Sequence, residues 1–146
     1  MDIPIILYNI PQAVDRYLPR EVIEDLADIP NIVGLKDSSG NLTYMMEVLE
    51  FAGDRINVLV GHDEVVLPAL AGGAKGMILA SAQVFPEVWQ RIYRAVQEGD
   101  LHTARKLQMS VQKLARIFCR HGGGVAVKAA LNMMGVKVGR PPRPPP

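Results

Sequence analysis

Four short apolar runs, spaced about one β/α unit apart, restrict the possible folds of this chain more than any other feature. They are "IPIILY" (Ile3 to Tyr8), Ile32 to Leu35, "INVLV" (Ile56 to Val60) and "GMILA" (Gly76 to Ala80). Each is apolar at consecutive positions, as strands of a parallel sheet covered by helices are. The intervening segments carry helix signals. Pro19 opens one that runs to about Ala27, with Glu21 and Glu24 near its positive end. Asn41 or Ser39 caps the next, which places Leu42, Met45, Met46 and Leu49 on one side and ends before Gly53. Glu64 to Ala71 is a third, closed by Gly72-Gly73, and Val88, Trp89, Ile92, Tyr93 and Val96 mark a fourth, ending at Gly99. From Tyr8 to Lys36 is 28 residues and from Lys36 to Gly61 is 25, each close to the roughly 30 of a βαβ unit. The fold class is α/β. Right-handed crossovers then bring Tyr8, Lys36, Gly61 and the end of "GMILAS" to one rim, where α/β folds place their sites.

Two further helices follow. One runs from Leu101 to about Cys119, with Ala104, Leu107, Val111, Leu114 and Phe118 on a stripe, and the other from Val125 to Met134 after "HGGG". The closing "GRPPRPPP" suits extended polyproline. Two parts are expected, a β/α segment over 1–100 and a helical extension over 101–146. Their charges differ: residues 1–100 hold 7 Lys/Arg and all 15 Asp/Glu, whereas residues 101–146 hold 9 Lys/Arg and no acid. A basic helical tail folded on an acidic body accounts for this. The rival is a non-catalytic association module whose basic tail seeks anions. The tail has a single aromatic, Phe118, and spread cations, so no nucleic acid is expected. With one cysteine, Cys119, there is no disulfide framework and no cysteine cluster for a metal. No apolar stretch reaches the roughly 20 residues that span a bilayer, so no membrane partner and a cytoplasmic location are expected.

The stretch "NIVGLKDSSGNL" (Asn31 to Leu42) carries Lys36 to the tip of an apolar strand. Apolar surroundings strip hydration from an ammonium and favour the free amine. A free amine attacks carbonyl carbon and forms a Schiff base, an electron sink for the adjacent carbon. The bland alternative is a lysine whose stem packs while its tip reaches an acid such as Asp37. Loss of water from the carbinolamine needs a proton shuttle, and the Tyr8 phenol at the preceding strand end is suited to it.

"LYNIP" (Leu7 to Pro11), "GLKDSSGN" (Gly34 to Asn41), "GHDE" (Gly61 to Glu64) and "GGAKGMILASAQVFPE" (Gly72 to Glu87) resemble, in this order, the N-acetylneuraminate lyase and dihydrodipicolinate synthase family of pyruvate-dependent class I aldolases. "VAVKAALNMMG" and the "RPP" turn continue the resemblance toward the end of the chain. It implies a (β/α)8 TIM barrel, here a partial one of about four β/α units matching strands five to eight, with C-terminal helices. It implies no dissociable cofactor: Lys36 forms the Schiff base with pyruvate or a 2-keto acid, and Tyr8 relays protons. Gly61 and Ile78 are implied to offer backbone contacts, Ser38 a substrate-contacting hydroxyl, and Asp63 and Glu64 holds on substrate hydroxyls. For Asp63 a plain helix-opening role competes.

Departures from the family pattern narrow the substrate. Gln12 and Ala13 follow Pro11 where synthases often carry an arginine for the distal carboxylate, which disfavours aspartate semialdehyde. Leu79 and Ala80 follow Ile78 where the sialic-acid branch has hydroxyl and glycine residues. A 2-keto-3-deoxy sugar acid or another 2-keto acid fits better. A whole barrel takes about 250 residues, so a truncated half with little activity alone is expected. It would expose two sheet edges and one side of its core, and associate with a separate N-terminal half-barrel or with itself. A flavodoxin-like phosphate site is disfavoured, because "GGAKG" precedes a strand rather than following one.

Overall fold

A computed structural model of the chain describes residues 3–139; the expected polyproline tail lies outside them. Two compact units result, Met1–Ile78 and Leu79–Pro146. The first alternates strands and helices: β1 (Ile5–Asn9), α1 (Pro11–Val14), α2 (Arg20–Leu26), β2 (Ile32–Asp37), α3 (Leu42–Ala52), β3 (Asn57–Val60), a 3-10 turn (Asp63–Val65), α4 (Val66–Ala71) and β4 (Gly76–Met77). All four strands are parallel and lie side by side in chain order. Right-handed β/α/β winding gives this order when each crossover helix packs back on the sheet.

Tyr8 stands opposite Lys36, Asn9 opposite Asp37, and Lys36 opposite Leu59. The ladder continues past the strand ends, with the Ser38 N–H donating to Asn9 O at 2.8 Å and the Gly61 N–H to Asp37 O at 2.6 Å. Side chains alternate between sheet faces, so the register sorts them into two sets. Leu35, Asp37, Val58 and Val60 belong to the set beneath the helices and are fully buried, together with Ile23, Met45, Val48 and Val66 from the helices. The other set contains Ile6, Tyr8, Lys36 and Leu59. There Ile6 and Tyr8 are each 48% exposed.

The expectation of strands buried on both faces is therefore corrected: one face is packed and the other is open. This agrees with the expected uncovered side of the core. Apolar composition alone does not say what covers a face. The fourth strand is also shorter than the "GMILA" run, although the Ile78 N–H still donates to Val60 O at 2.9 Å. On α3 the Asn41 side chain accepts from the Tyr44 N–H at 3.2 Å, so Asn41 is the cap. Its packed stripe is Met45, Val48 and Ala52, while Met46 points outward. The third helix begins as the 3-10 turn, and α1 has no counterpart in the sequence reading.

The second unit holds a 3-10 turn (Ser81–Gln83), α5 (Pro86–Gln97), α6 (Leu101–Arg120) and α7 (Gly124–Met133). Helix α5, assigned above to the β/α segment, packs on α6. Phe85 meets Trp89 and Phe118 with ring centres 5.9 and 5.8 Å away, and the Trp89 indole donates to Ser81 Oγ at 2.9 Å. Asp100 caps α6 by accepting from the Thr103 N–H at 2.9 Å. The packed stripe of α6 includes the buried Gln108, whereas the expected Leu114 is exposed. Gly122 and Gly123 take positive φ between α6 and α7, as the triple glycine permits.

The two faces predict opposite mutational costs. Leu35→Ala, beneath the helices, is expected to lose about 3 kcal/mol in chemical denaturation. Ile6→Ala, on the open face, is expected to stay within about 0.5 kcal/mol.

Candidate active site

Both residues singled out for chemistry end on the open face at the same height. Tyr8 is the fourth residue of β1 and Lys36 the fifth of β2, paired across the ladder. The Lys36 ammonium nitrogen, Nζ, lies 4.1 Å from the centre of the Tyr8 ring, within the reach at which a π face attracts a cation. Lys36 is half-buried, its tip held at the phenol rather than sunk in an apolar cup.

Ser38 completes the group. Its buried Oγ lies 3.3 Å from Tyr8 Oη and 3.2 Å from Gly61 O. A hydroxyl has one proton and two lone pairs. When Ser38 donates to Gly61 O, its oxygen is left to accept from Tyr8. Two hydroxyls in contact with each other thus stand beside Lys36.

Gly61 contributes by what it lacks. A Cβ there would meet Ser38 Oγ in a severe clash and lie 2.8 Å from Lys36 Cε. Its N–H donates to Asp37 O and its carbonyl accepts from Ser38. The absence of a Cβ at Gly61 leaves room for the lysine stem, and its carbonyl keeps a second lone pair. Ile78 is 45% exposed, with its N–H directed to Val60 O. Tyr8, Lys36, Ser38 and Gly61 are therefore brought together. Asp63 and Glu64 sit in the turn after β3, Asp63 only 3% exposed and Glu64 half-buried. At Gly40, φ is +73° and a Cβ would lie 2.8 Å from the His62 ring, so glycine is required where the ring packs.

Asp37 is not the partner of Lys36. Adjacent strand residues face opposite ways, and Asp37 points beneath the sheet, 1% exposed. There Asn9 Nδ2 donates to its Oδ1 at 2.7 Å, the Ser39 N–H to the same oxygen at 3.1 Å, and Ser39 Oγ to its Oδ2 at 2.9 Å. The sequence reading passed over Asn9 as a functional candidate. The signal was available, because Asn9 and Asp37 repeat the 28-residue offset of Tyr8 and Lys36 one position later. Gln12 braces the loop after β2, where its Nε2 donates to the carbonyls of Ser38 and Ser39, each at 3.0 Å.

A family model for the dihydrodipicolinate synthetase family matches residues 1–146, the whole chain. The chain belongs to this family. It is 36% identical over 148 residues to the 4-hydroxy-tetrahydrodipicolinate synthase of Methanococcoides burtonii, covering 99% of this chain and 51% of that protein. The 4-hydroxy-tetrahydrodipicolinate synthase from Methylacidiphilum fumariolicum SolV superposes with a TM-score of 0.91 at 30% identity, over 99% of this chain and 49% of that one. Dihydrodipicolinate synthase from Aquifex aeolicus gives 0.88 at 34%, over 93% and 47%. N-acetylneuraminate lyase from Fusobacterium nucleatum, 22% identical with a TM-score of 0.82 over 98% and 49%, shares the fold. The chain thus spans about half the length of the relatives it matches, and its four-stranded sheet corresponds to part of a TIM barrel. Among the described residues, no helix is long and apolar enough to cross a membrane.

Two outcomes follow from this geometry. Gly61→Ala is expected to lose about 1–3 kcal/mol by overpacking, with the Lys36 side-chain resonances displaced in NMR spectra. Burial pushes the Tyr44 phenol above its ordinary range, with the Asp37 charge adding to the shift. Its fold-stabilising contribution is therefore complete below the unfolded value of about 10 and is lost as pH rises above it. The unfolding midpoint should fall in alkali, less steeply in Tyr44→Phe.

Proposed function

We propose that this chain carries the amine and proton-relay portion of a Schiff-base aldolase site acting on pyruvate or another 2-keto acid. The observation that supports this most is the Lys36 nitrogen 4.1 Å from the Tyr8 ring centre, on an open face beside a serine hydroxyl. In the reading, the Lys36 amine attacks the keto carbon. A C–N bond forms, and the carbonyl π pair moves to oxygen, which takes a proton. The nitrogen gives up one proton to the relay, and the carbinolamine then releases that oxygen as water with a second proton, leaving a protonated imine. Tyr8, with Ser38 behind it, is assigned the delivery and recovery of these protons. Gly61 leaves space for the lysine stem, and the Ile78 backbone borders the same rim. The imine withdraws electrons from the neighbouring carbon, where a C–C bond is made or broken.

Acinetobacter baumannii dihydrodipicolinate synthase, 29% identical with a TM-score of 0.88, has been solved with pyruvate, which favours pyruvate as first substrate. For the second substrate, a small residue stands at Ala13 where an arginine clamp is implied, and Gln12 is tied to the β2 loop. This favours a polyhydroxy aldehyde, the partner released when a 2-keto-3-deoxy sugar acid is cleaved to pyruvate, over an acidic aldehyde. Glu64, more accessible than Asp63, is the better candidate to hold a substrate hydroxyl. Since the chain spans half its relatives' length and the face bearing Lys36 is open, efficient turnover is assigned to an assembly. Its other part is a further set of β/α units, from a separate first half or a second copy.

Pyruvate and borohydride should leave a reduced adduct on Lys36, seen by mass spectrometry and abolished in Lys36→Ala. Tyr8→Phe should slow its formation about a hundredfold. Absence of adduct, even after the first four β/α units of a relative are added, would remove the aldolase reading.

A further inference from the structure

We infer that Asp37 and Asn9 are positioning residues, a buried pin that holds β1 and β2 in the one register placing Tyr8 opposite Lys36. Strand β1 needs such a device. It is an edge strand, its Ile5 and Ile6 are 42% and 48% exposed, and its register against β2 shifts between those two residues. Hydrophobic burial therefore specifies its alignment weakly, and a one-residue slip would turn Tyr8 to the wrong face. The pair next along the ladder, Asn9 and Asp37, is 1% exposed at both residues and joined at 2.7 Å. A mispaired strand would leave a buried carboxylate and amide without that bond, which is costly.

The pin is also closed into a circuit. Ser39 Oγ, which donates to Asp37, accepts the Asn41 N–H at 3.0 Å. Asn41 caps α3 through the Tyr44 N–H, and the Tyr44 hydroxyl donates to Leu18 O at 3.0 Å. The Leu18 N–H returns to Asn9 Oδ1 at 3.0 Å. Hydrogen bonds thus link both strand tips to the start of α3 and to the segment after α1. None of these side chains belongs to the open-face set, so their effect on chemistry passes through Tyr8 and Lys36.

The assignment rests on the Schiff-base reading for its chemical consequence, and two measurements separate them. Ring current from Tyr8 should move the Lys36 Cε protons upfield in NMR, an effect that Tyr8→Leu removes. In Asn9→Ser and Asp37→Asn most of that shift should vanish. In Tyr44→Phe, which keeps the edge contact with Tyr17, part should vanish, so the test survives if the first two fold poorly. The rate of pyruvate trapping at saturation should fall about tenfold in Asn9→Ser with the half-saturating concentration unchanged. Variants that lose thermal stability but keep the full ring-current shift and trapping rate would overturn the assignment. If the unaltered chain forms no adduct even with the first four β/α units of a relative added, the aldolase reading fails, while the ring-current comparison still decides the pin.

Discussion

Parity along a parallel strand governs this structure. Successive side chains point to opposite faces, so fixing which residue of β1 lies against which residue of β2 decides at once what is packed and what is presented. With Tyr8 against Lys36, an amine and a phenol share a surface reachable by a small carbonyl compound. With Asn9 against Asp37, a carboxylate and an amide share a surface closed to water. The proposed chemistry and its proposed support thus fall on neighbouring residues, separated by the thickness of one sheet. The room at Gly61 and the serine between tyrosine and glycine depend on the same alignment, since both sit one step beyond it.

Much of this was legible beforehand. Apolar runs at βαβ spacing implied a parallel sheet with its strand ends on one rim, and a lysine and a tyrosine fell at two of those ends. Covering was not legible: Ile6 and Ile78 look like core residues, and nothing within a strand's sequence tells whether its second face has a lid. The alternative of an ion pair between Lys36 and its neighbour Asp37 is excluded by strand alternation. On α6, counting only apolar residues favoured Leu114 and overlooked Gln108, whose amide is buried while donating to Gln112. Met46 fails similarly, because a stripe drawn through Leu42 and Met46 lies to one side of the packed line through Met45 and Val48.

Membership in the dihydrodipicolinate synthetase family and a span of half its relatives' length are two facts to be held together. The matched half contains the amine, the phenol and their buried support, which under the proposed function are the means of covalent attachment. Orienting the attached molecule makes a separate demand, and in a barrel it falls to groups from several strand ends. Under that proposal, covalent attachment and turnover make distinct demands on the structure.

The outer strands bear on how such a sheet avoids unwanted growth. Pro4 precedes β1 and offers no amide hydrogen, while β4 extends over only Gly76–Met77. A proline at the entrance and a two-residue border are poor templates for a stranger's backbone. Fibril-like stacking through the margins is thereby discouraged, and a companion that does pair there must match a short and particular length of backbone.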